Sequence, residues 1–311
     1  MKVPSRNLGL LGLLIAELAA IGAIVPFYLD PVSLLDTTRT FVEPGILALG
    51  MTLIVMTGGI DLSVAALLAL VSVVIGFAHQ AGLSMPLAML CGVATGLGGG
   101  LLNGAAIAYL RLHPFVVTLA TMSIFRGAAY AISNAEAVSA FPDWFRAIGQ
   151  AYLFGDRVPV QLLLYIVPAL GCWLLLERAA TGRRILGVGA NELAARFSGV
   201  KVERLKLGLY ALMGLLAALA AIIQTARVST ARANASLGLE LTVIAMVVLG
   251  GTRITGGRGT IAGTLLGTAI LAFLQDGLIS AGLRSDWSMV VVGVLLIVGV
   301  LANEARRRDA R

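Results

Sequence analysis

Apolar runs of membrane-spanning length recur from one end of this 311-residue chain to the other, and they leave few folds open. In a bilayer every backbone N–H and C=O must find a partner inside the protein, so only helices and closed barrels cross. A barrel strand alternates apolar and polar side chains, and these runs do not alternate. Most approach the ~20 residues that a spanning helix needs. Only 13% of residues are charged, about half the ~25% of a soluble domain. The chain is therefore read as an all-α, polytopic membrane protein whose residues 1–311 form a single transmembrane domain. Its 37 glycines fit that reading, because glycine lets membrane helices approach closely.

Ten spans are expected, near 8–27, 42–57, 64–80, 86–109, 115–132, 160–176, 207–225, 240–250, 261–279 and 287–302. Several are short, as tilted, broken or re-entrant helices would be. Lys2 and Arg6 ahead of the first run mimic a signal peptide; without an A-x-A cleavage pattern, the run reads as an uncleaved span. Placing the N-terminus inside leaves 16 of the 23 Lys and Arg residues on inner segments and six outside, with Arg126 within a span. Basic residues are retained on the cytoplasmic side, so both termini are expected there. The same rule accounts for the net charge of +7 without nucleic acid as a partner.

The longest polar interruption, 177–206, carries seven of these basic residues. Inside it Asn191 suits an N-cap, Glu192 the first turn, Leu193 to Phe197 favour helix, and Gly199 can end it. A short amphipathic helix held at the inner surface points to a docking element for a soluble partner, with Asn191, Glu192, Ala195, Arg196, Ser198 and Gly199 as its residues.

No catalytic or metal-ligating constellation stands out. Cys91 and Cys172 lie in apolar runs, and His79 and His113 are far apart. Gly251-Thr-Arg-Ile-Thr-Gly256-Gly-Arg258-Gly-Thr260 lacks the Gly-Lys-Ser/Thr ending of a phosphate loop. Any energy for transport must then come from another subunit or an ion gradient. Charged and polar groups within spans are the candidates for a solute pathway: Asn103, Thr118, Ser123, Arg126, Gln275 and Asp276. Helix-to-helix hydrogen bonding competes for each, and Arg126 could equally snorkel outward or pair. Glu17 reads either as structurally paired or as a substrate contact, and Asp61 or Ser63 as a helix cap. A faint repeat links Met51-Thr-Leu-Ile-Val-Met-Thr-Gly-Gly with Ile244-Ala-Met-Val-Val-Leu-Gly-Gly; chance similarity of apolar segments is the alternative.

Four stretches resemble one family. They are Gly58-Gly-Ile-Asp-Leu-Ser63; Asn103-Gly with Pro114-Phe-Val-Val-Thr-Leu-Ala-Thr-Met-Ser-Ile-Phe-Arg-Gly127; Gly189-Ala-Asn-Glu-Leu-Ala-Ala-Arg-Phe-Ser-Gly199; and Val248-Leu-Gly-Gly251 with Gly256-Gly-Arg-Gly-Thr260. Their order and spacing, from about residue 40 to 302, are similar to the permease subunits of ribose-type bacterial sugar ABC importers. The resemblance implies a ten-helix permease of the inner membrane, paired with a second, identical or related, permease. It implies two cytoplasmic ATP-binding subunits that hold ATP and Mg, no cofactor on this chain, and a periplasmic sugar-binding protein. It also implies that Asn191 to Gly199 form the coupling helix. The outer loop 133–159, with Trp144 and Phe145, is the candidate dock for the binding protein. Thr242 stands where relatives often carry an acid, and Gln275-Asp276 where ribose-type relatives often have paired asparagines, so the sugar stays open. The segment from Gly82 to Ala88 looks somewhat like permeases for autoinducer-2 or rhamnose. An ion-gradient-driven secondary transporter, with Glu17 or Asp276 as a proton site, is the rival reading; a membrane enzyme would need an acid–base or metal cluster.

Overall fold

Nine of the ten expected spans correspond to helices in the computed structural model, which describes residues 5–284 and positions 287, 290, 291, 293, 294 and 297. Most of the tenth span, and the Arg-rich tail, lie outside the described residues. Among the described residues seven helices are long and apolar enough to cross a membrane. They are α1 (Ser5–Ile24), α2 (Pro31–Met56), α4 (Met85–Ala108), α5 (Pro114–Ser133), α7 (Val160–Trp173, continued by a π-helical turn Leu174–Arg178), α10 (Val202–Val228) and α12 (Ile261–Ser280). Two shorter apolar helices, α3 (Val64–Gln80) and α11 (Leu239–Leu249), complete the set.

Several elements depart from the sequence reading, each for a local reason. The stretch 30–41, expected as a polar link, is the first part of α2. Asp30 caps it by accepting from the Val32 N–H at 3.1 Å, Pro31 opens the first turn, and Asp36 and Arg39 pair along the helix at 3.4 Å. The loop 133–159 holds a helix, α6 (Asp143–Gln150), and a small hairpin of β1 (Tyr152–Leu153) and β2 (Val158–Pro159). The basic loop holds two helices, α8 (Ala180–Ala190) and α9 (Glu192–Phe197).

α2 is the central post. Within its best span 89% of residues are buried, against 11% for α1, which lies at the edge against α12. Around α2 pack α7, α10, α11 and α12, while α3 and α4 flank α10 and α5 packs on α3 and α4. The α4–α10 contact is the most intimate. Gly96, Gly100 and Gly104 recur every fourth residue along one face of α4. A Cβ at Gly96 would meet the Gly214 carbonyl at 2.5 Å, and one at Gly104 would meet the Leu207 Cα at 3.1 Å. Small residues at that spacing bring two backbones together where lipid supplies no hydrophobic drive. Hydroxyl pairs add further ties, Thr52 to Thr264 at 2.6 Å and Ser72 to Thr225 at 2.7 Å.

α11 has 11 residues, about 16 Å of helix, too short for a hydrocarbon core of ~30 Å. The chain reaches it through the irregular segment 229–238, part of whose backbone is bonded within the protein. Ala231 and Val138 exchange N–H···O bonds of 2.8 and 3.1 Å, and Arg126 donates to the carbonyls of Ala233 and Ala235 at 2.5 and 2.9 Å.

Candidate functional site

One face of the molecule is built from three turns that meet. α2 and α11 end in the same cap. Gly58 and Gly251 take φ of 82° and 81°, and the following residues, Gly59 and Thr252, each donate five residues back, to Ile54 and Val247. Each turn leads after a short link to a new helix, α3 or α12. The faint repeat in the sequence is thus a repeat of helix–turn–helix geometry. The two links touch: the Gly257 N–H donates to the Met56 carbonyl at 2.9 Å. Gly189, near the end of α8, lies directly on both, leaving no room for a Cβ beside the Met56 carbonyl and the Gly257 nitrogen. Gly189 thus seats α8 against the end of α2 and the link that follows α11.

α9 follows one residue after α8. The Asn191 side chain accepts from the Ala194 N–H at 3.0 Å, and Gly199 ends the helix with φ of 83°. Glu192 accepts from Arg196 at 2.8 Å and from Lys206 at 2.7 Å, and Arg196 also bonds Glu203 on α10. Burial pushes the Glu192 carboxyl up, but the bonds from Lys206 and Arg196 outweigh it and hold the group below its ordinary range. Ala195 is buried against Val188 and Val202. The polar side chains and Ala195 thus turn back onto the protein. Leu193 and Phe197, one turn apart, point away, 63% and 85% exposed. The sequence reading took those two as helix formers only. An apolar pair at this spacing is the usual anchor of a helix laid into a partner's groove, and that signal was present in the sequence.

The six pathway candidates do not converge on one lumen. Asn103 and Thr118 lock the α2–α3 link: Asn103 donates to the Ser63 hydroxyl at 2.8 Å, and Thr118 to the Ile60 carbonyl at 3.2 Å. Asp61 accepts from both the Ser63 N–H and its hydroxyl, at 2.9 and 2.6 Å. Neither Asp61 nor Ser63 therefore caps α3 through its side chain, contrary to expectation; the two hold the turn before the helix. Burial pushes the Asp61 carboxyl up to about 6, against the bonds from Ser63 and Asn103 that favour its charged form. Arg126 clamps the irregular segment, Ser123 is exposed and bonds its own helix at the Leu119 carbonyl, and Asp276 accepts from Thr37 at 3.0 Å. A Glu17 carboxylate oxygen, by contrast, is buried without a hydrogen-bond partner among the described residues.

Gln275 alone of the six lines a cavity of about 350 Å³ between α2, α10, α11 and α12. Glu43 and Arg227 meet there at 2.7 Å, with Glu43 1% exposed and Arg227 27%. Gln224 donates to Ser236 at 2.7 Å, and Thr40 and Thr242 complete the polar lining. The sequence reading missed Glu43 and Arg227 by setting both at span boundaries; a carboxylate beside Pro44 in an apolar run was the available signal.

On the same side as this cavity, α6 packs on the end of α10. Gln150 donates to the Arg227 carbonyl at 3.0 Å and to Ser229 at 2.9 Å. Of the pair proposed for docking, Trp144 is 51% exposed, whereas Phe145 is fully buried beside Phe141 and presents no surface.

Residues 33–300 match the family model described as the branched-chain amino acid transport system / permease component. The chain is 38% identical over 283 residues to the ribose import permease protein RbsC of Bacillus subtilis (strain 168), covering 90% of this chain and 87% of that one. It is 35% identical over 303 residues to the autoinducer 2 import system permease protein LsrD of Escherichia coli (strain K12), covering 96% and 91%. Its fold is similar to that of an ABC transporter described as of metal-chelate type and captured facing inward, with a TM-score of 0.56, 17% identity, and 96% and 98% of the two chains covered.

Proposed function

Because this chain belongs to the branched-chain amino acid transport system / permease component family, we propose that it is the membrane-spanning subunit of an ATP-driven importer for a monosaccharide or related polyol-like solute. The observation that carries the proposal is α9, a capped helix whose polar side chains are tied back while Leu193 and Phe197 stand free. The soluble partner is a cytoplasmic ATP-binding subunit that holds ATP and Mg and hydrolyses the nucleotide; this chain supplies the pathway. Closure of two such subunits would carry α9 and α8 with it. Gly189 would pass the movement to the end of α2 and the link that follows α11, changing which side of the pathway is open.

Sugar-type solutes fit the cavity and the relatives together. RbsC imports ribose and LsrD autoinducer 2. The cavity's two charges, Glu43 and Arg227, neutralise each other, leaving amides and hydroxyls to meet a neutral polyol. Ten spans, both termini in the cytoplasm, an inner-membrane location and a second permease complete the proposal. The outer cap that presents Trp144 would receive a periplasmic binding protein. All of 1–311 acts as one transmembrane domain.

The test is co-purification from native membranes in mild detergent. A stoichiometric ATP-binding subunit should accompany the chain, be lost with Leu193→Ala/Phe197→Ala, and persist with Trp144→Ala. A chain that purifies alone and still accumulates solute under an ion gradient would replace this reading with secondary transport.

A further inference from the structure

Five of the seven basic residues of the 177–206 loop sort into two sets. Arg196 and Lys206 are compensated by Glu192 and Glu203 on the α9–α10 face. Arg184, Lys201 and Arg204 are not: among the described residues none of the three has an ion pair or a side-chain hydrogen bond. All three are exposed and line one cavity of about 770 Å³ that, among the described residues, contains no acidic one. Membrane topology calls for positive charge near this boundary, but it calls for neither a cavity nor the exclusion of acids from it.

The cavity is two-natured. Its polar end carries the three cations with the hydroxyls of Thr181 and Ser198. Its other end runs along α10 over Leu205, Gly208 and Leu212, which share one face of that helix at helical spacing. A side chain built at Gly208 would meet nothing within 4 Å, so this glycine leaves an open trough in an apolar wall and serves no close helix contact. Cations and hydroxyls above an apolar trough complement an anionic phosphate headgroup with an acyl chain attached. A free phosphate would leave the trough empty, and an acidic protein surface would not enter it.

We propose that this cavity binds an anionic phospholipid of the inner leaflet, its phosphate held by Arg184, Lys201 and Arg204 and one chain laid along Leu205 to Leu212. The bound lipid would sit between α8 and α10, beside the elbow that carries α9. The proposal stands apart from the transport reading, since it concerns lipid retention by the purified chain whatever its cargo.

The experiment is native mass spectrometry of the full chain after exposure to equimolar phosphatidylglycerol and phosphatidylcholine, repeated with inorganic phosphate as competitor. Phosphatidylglycerol should be retained preferentially, and each cation removed should weaken retention about fivefold, as a surface cation contributes ~1 kcal/mol toward an anionic lipid. Arg184→Lys/Arg204→Lys should keep the preference, and Gly208→Leu should lower retention of both lipids by filling the trough. Equal retention of the two lipids, or indifference to Arg184→Ala/Lys201→Ala/Arg204→Ala, would overturn the proposal. So would displacement by millimolar phosphate. A triple variant that keeps its lipid but loses the ATP-binding subunit would assign the cations to that protein contact instead.

Discussion

Glu43 and Arg227 lie 184 positions apart in sequence and form a pair with unequal burial. The consequence is an asymmetry in what each substitution costs. Removing Arg227 strands a carboxylate that is 1% exposed, a loss of about 3–5 kcal/mol for a broken buried pair. Glu43→Gln keeps an acceptor and leaves the guanidinium partly solvated, so it should cost less. Reversible unfolding of the two variants in mixed micelles checks the order; equal costs would contradict the burial described here. A second residue-scale expectation concerns α9. Glu192→Ala/Arg196→Ala removes partly exposed, solvent-screened ion pairs, and should reduce coupled uptake only modestly. Phe197→Ala removes an exposed anchor, and loss of an interface anchor costs about 2 kcal/mol or more, a thirtyfold weakening measurable by titrating the ATP-binding subunit. Asn191 and Gly199 were legible as cap and stop because capping is chemistry of adjacent residues. The Glu43–Arg227 and Glu192–Lys206 pairs were not, because nothing local in a sequence says which distant charges meet.

At the scale of elements, the closest helix contact makes the sharpest forecast. Gly100→Leu would force a branched side chain against the Tyr210 carbonyl and the Gly214 backbone, and overpacking costs about 1–3 kcal/mol or more where backbone must shift. The variant should insert but unfold at lower denaturant; Gly98→Leu, on the same helix with nothing within 4 Å of its Cβ position, should not. Acid should loosen α9. The Glu192 carboxyl is held below its ordinary value of 4.5, so its contribution is fully present above that pH and is lost as pH falls through the depressed folded value. A nitroxide on a cysteine placed at Ser198 should therefore gain mobility only below about pH 4.5, the pKa the group has when unpaired; mobility rising already between pH 7 and 5 would contradict the network. Long apolar helices were legible from hydropathy, whereas α6 and α8 were not. Both lie in mixed polar stretches, and their packing residues, Phe145 on α6 and Ile185 and Val188 on α8, become core only once α10 and the turn after α2 are in place.

For the whole molecule, the structure brings together segments that the charge count set on the same side. The link after α2 meets the link after α11 and the α8 elbow, while α6 meets the end of α10 and Tyr152 bonds Asp36 and Arg39. One face of the molecule thus carries α9 and the other the Glu43–Arg227 cavity. Charge bias supports the proposal that the first is the cytoplasmic face. A membrane-impermeant thiol reagent should accordingly label a cysteine at Ser198 only from inside and one at Trp144 only from outside; the reverse pattern would invert the proposed direction of coupling.

The most direct measurement of the central claim is uptake in sealed vesicles that hold this chain, a second permease copy or partner, the co-purified ATP-binding subunits and the binding protein. Accumulation of labelled monosaccharide should require ATP, survive an uncoupler, and collapse in Leu193→Ala/Phe197→Ala although that variant inserts and folds. Accumulation that proceeds without ATP and vanishes with the uncoupler would contradict it.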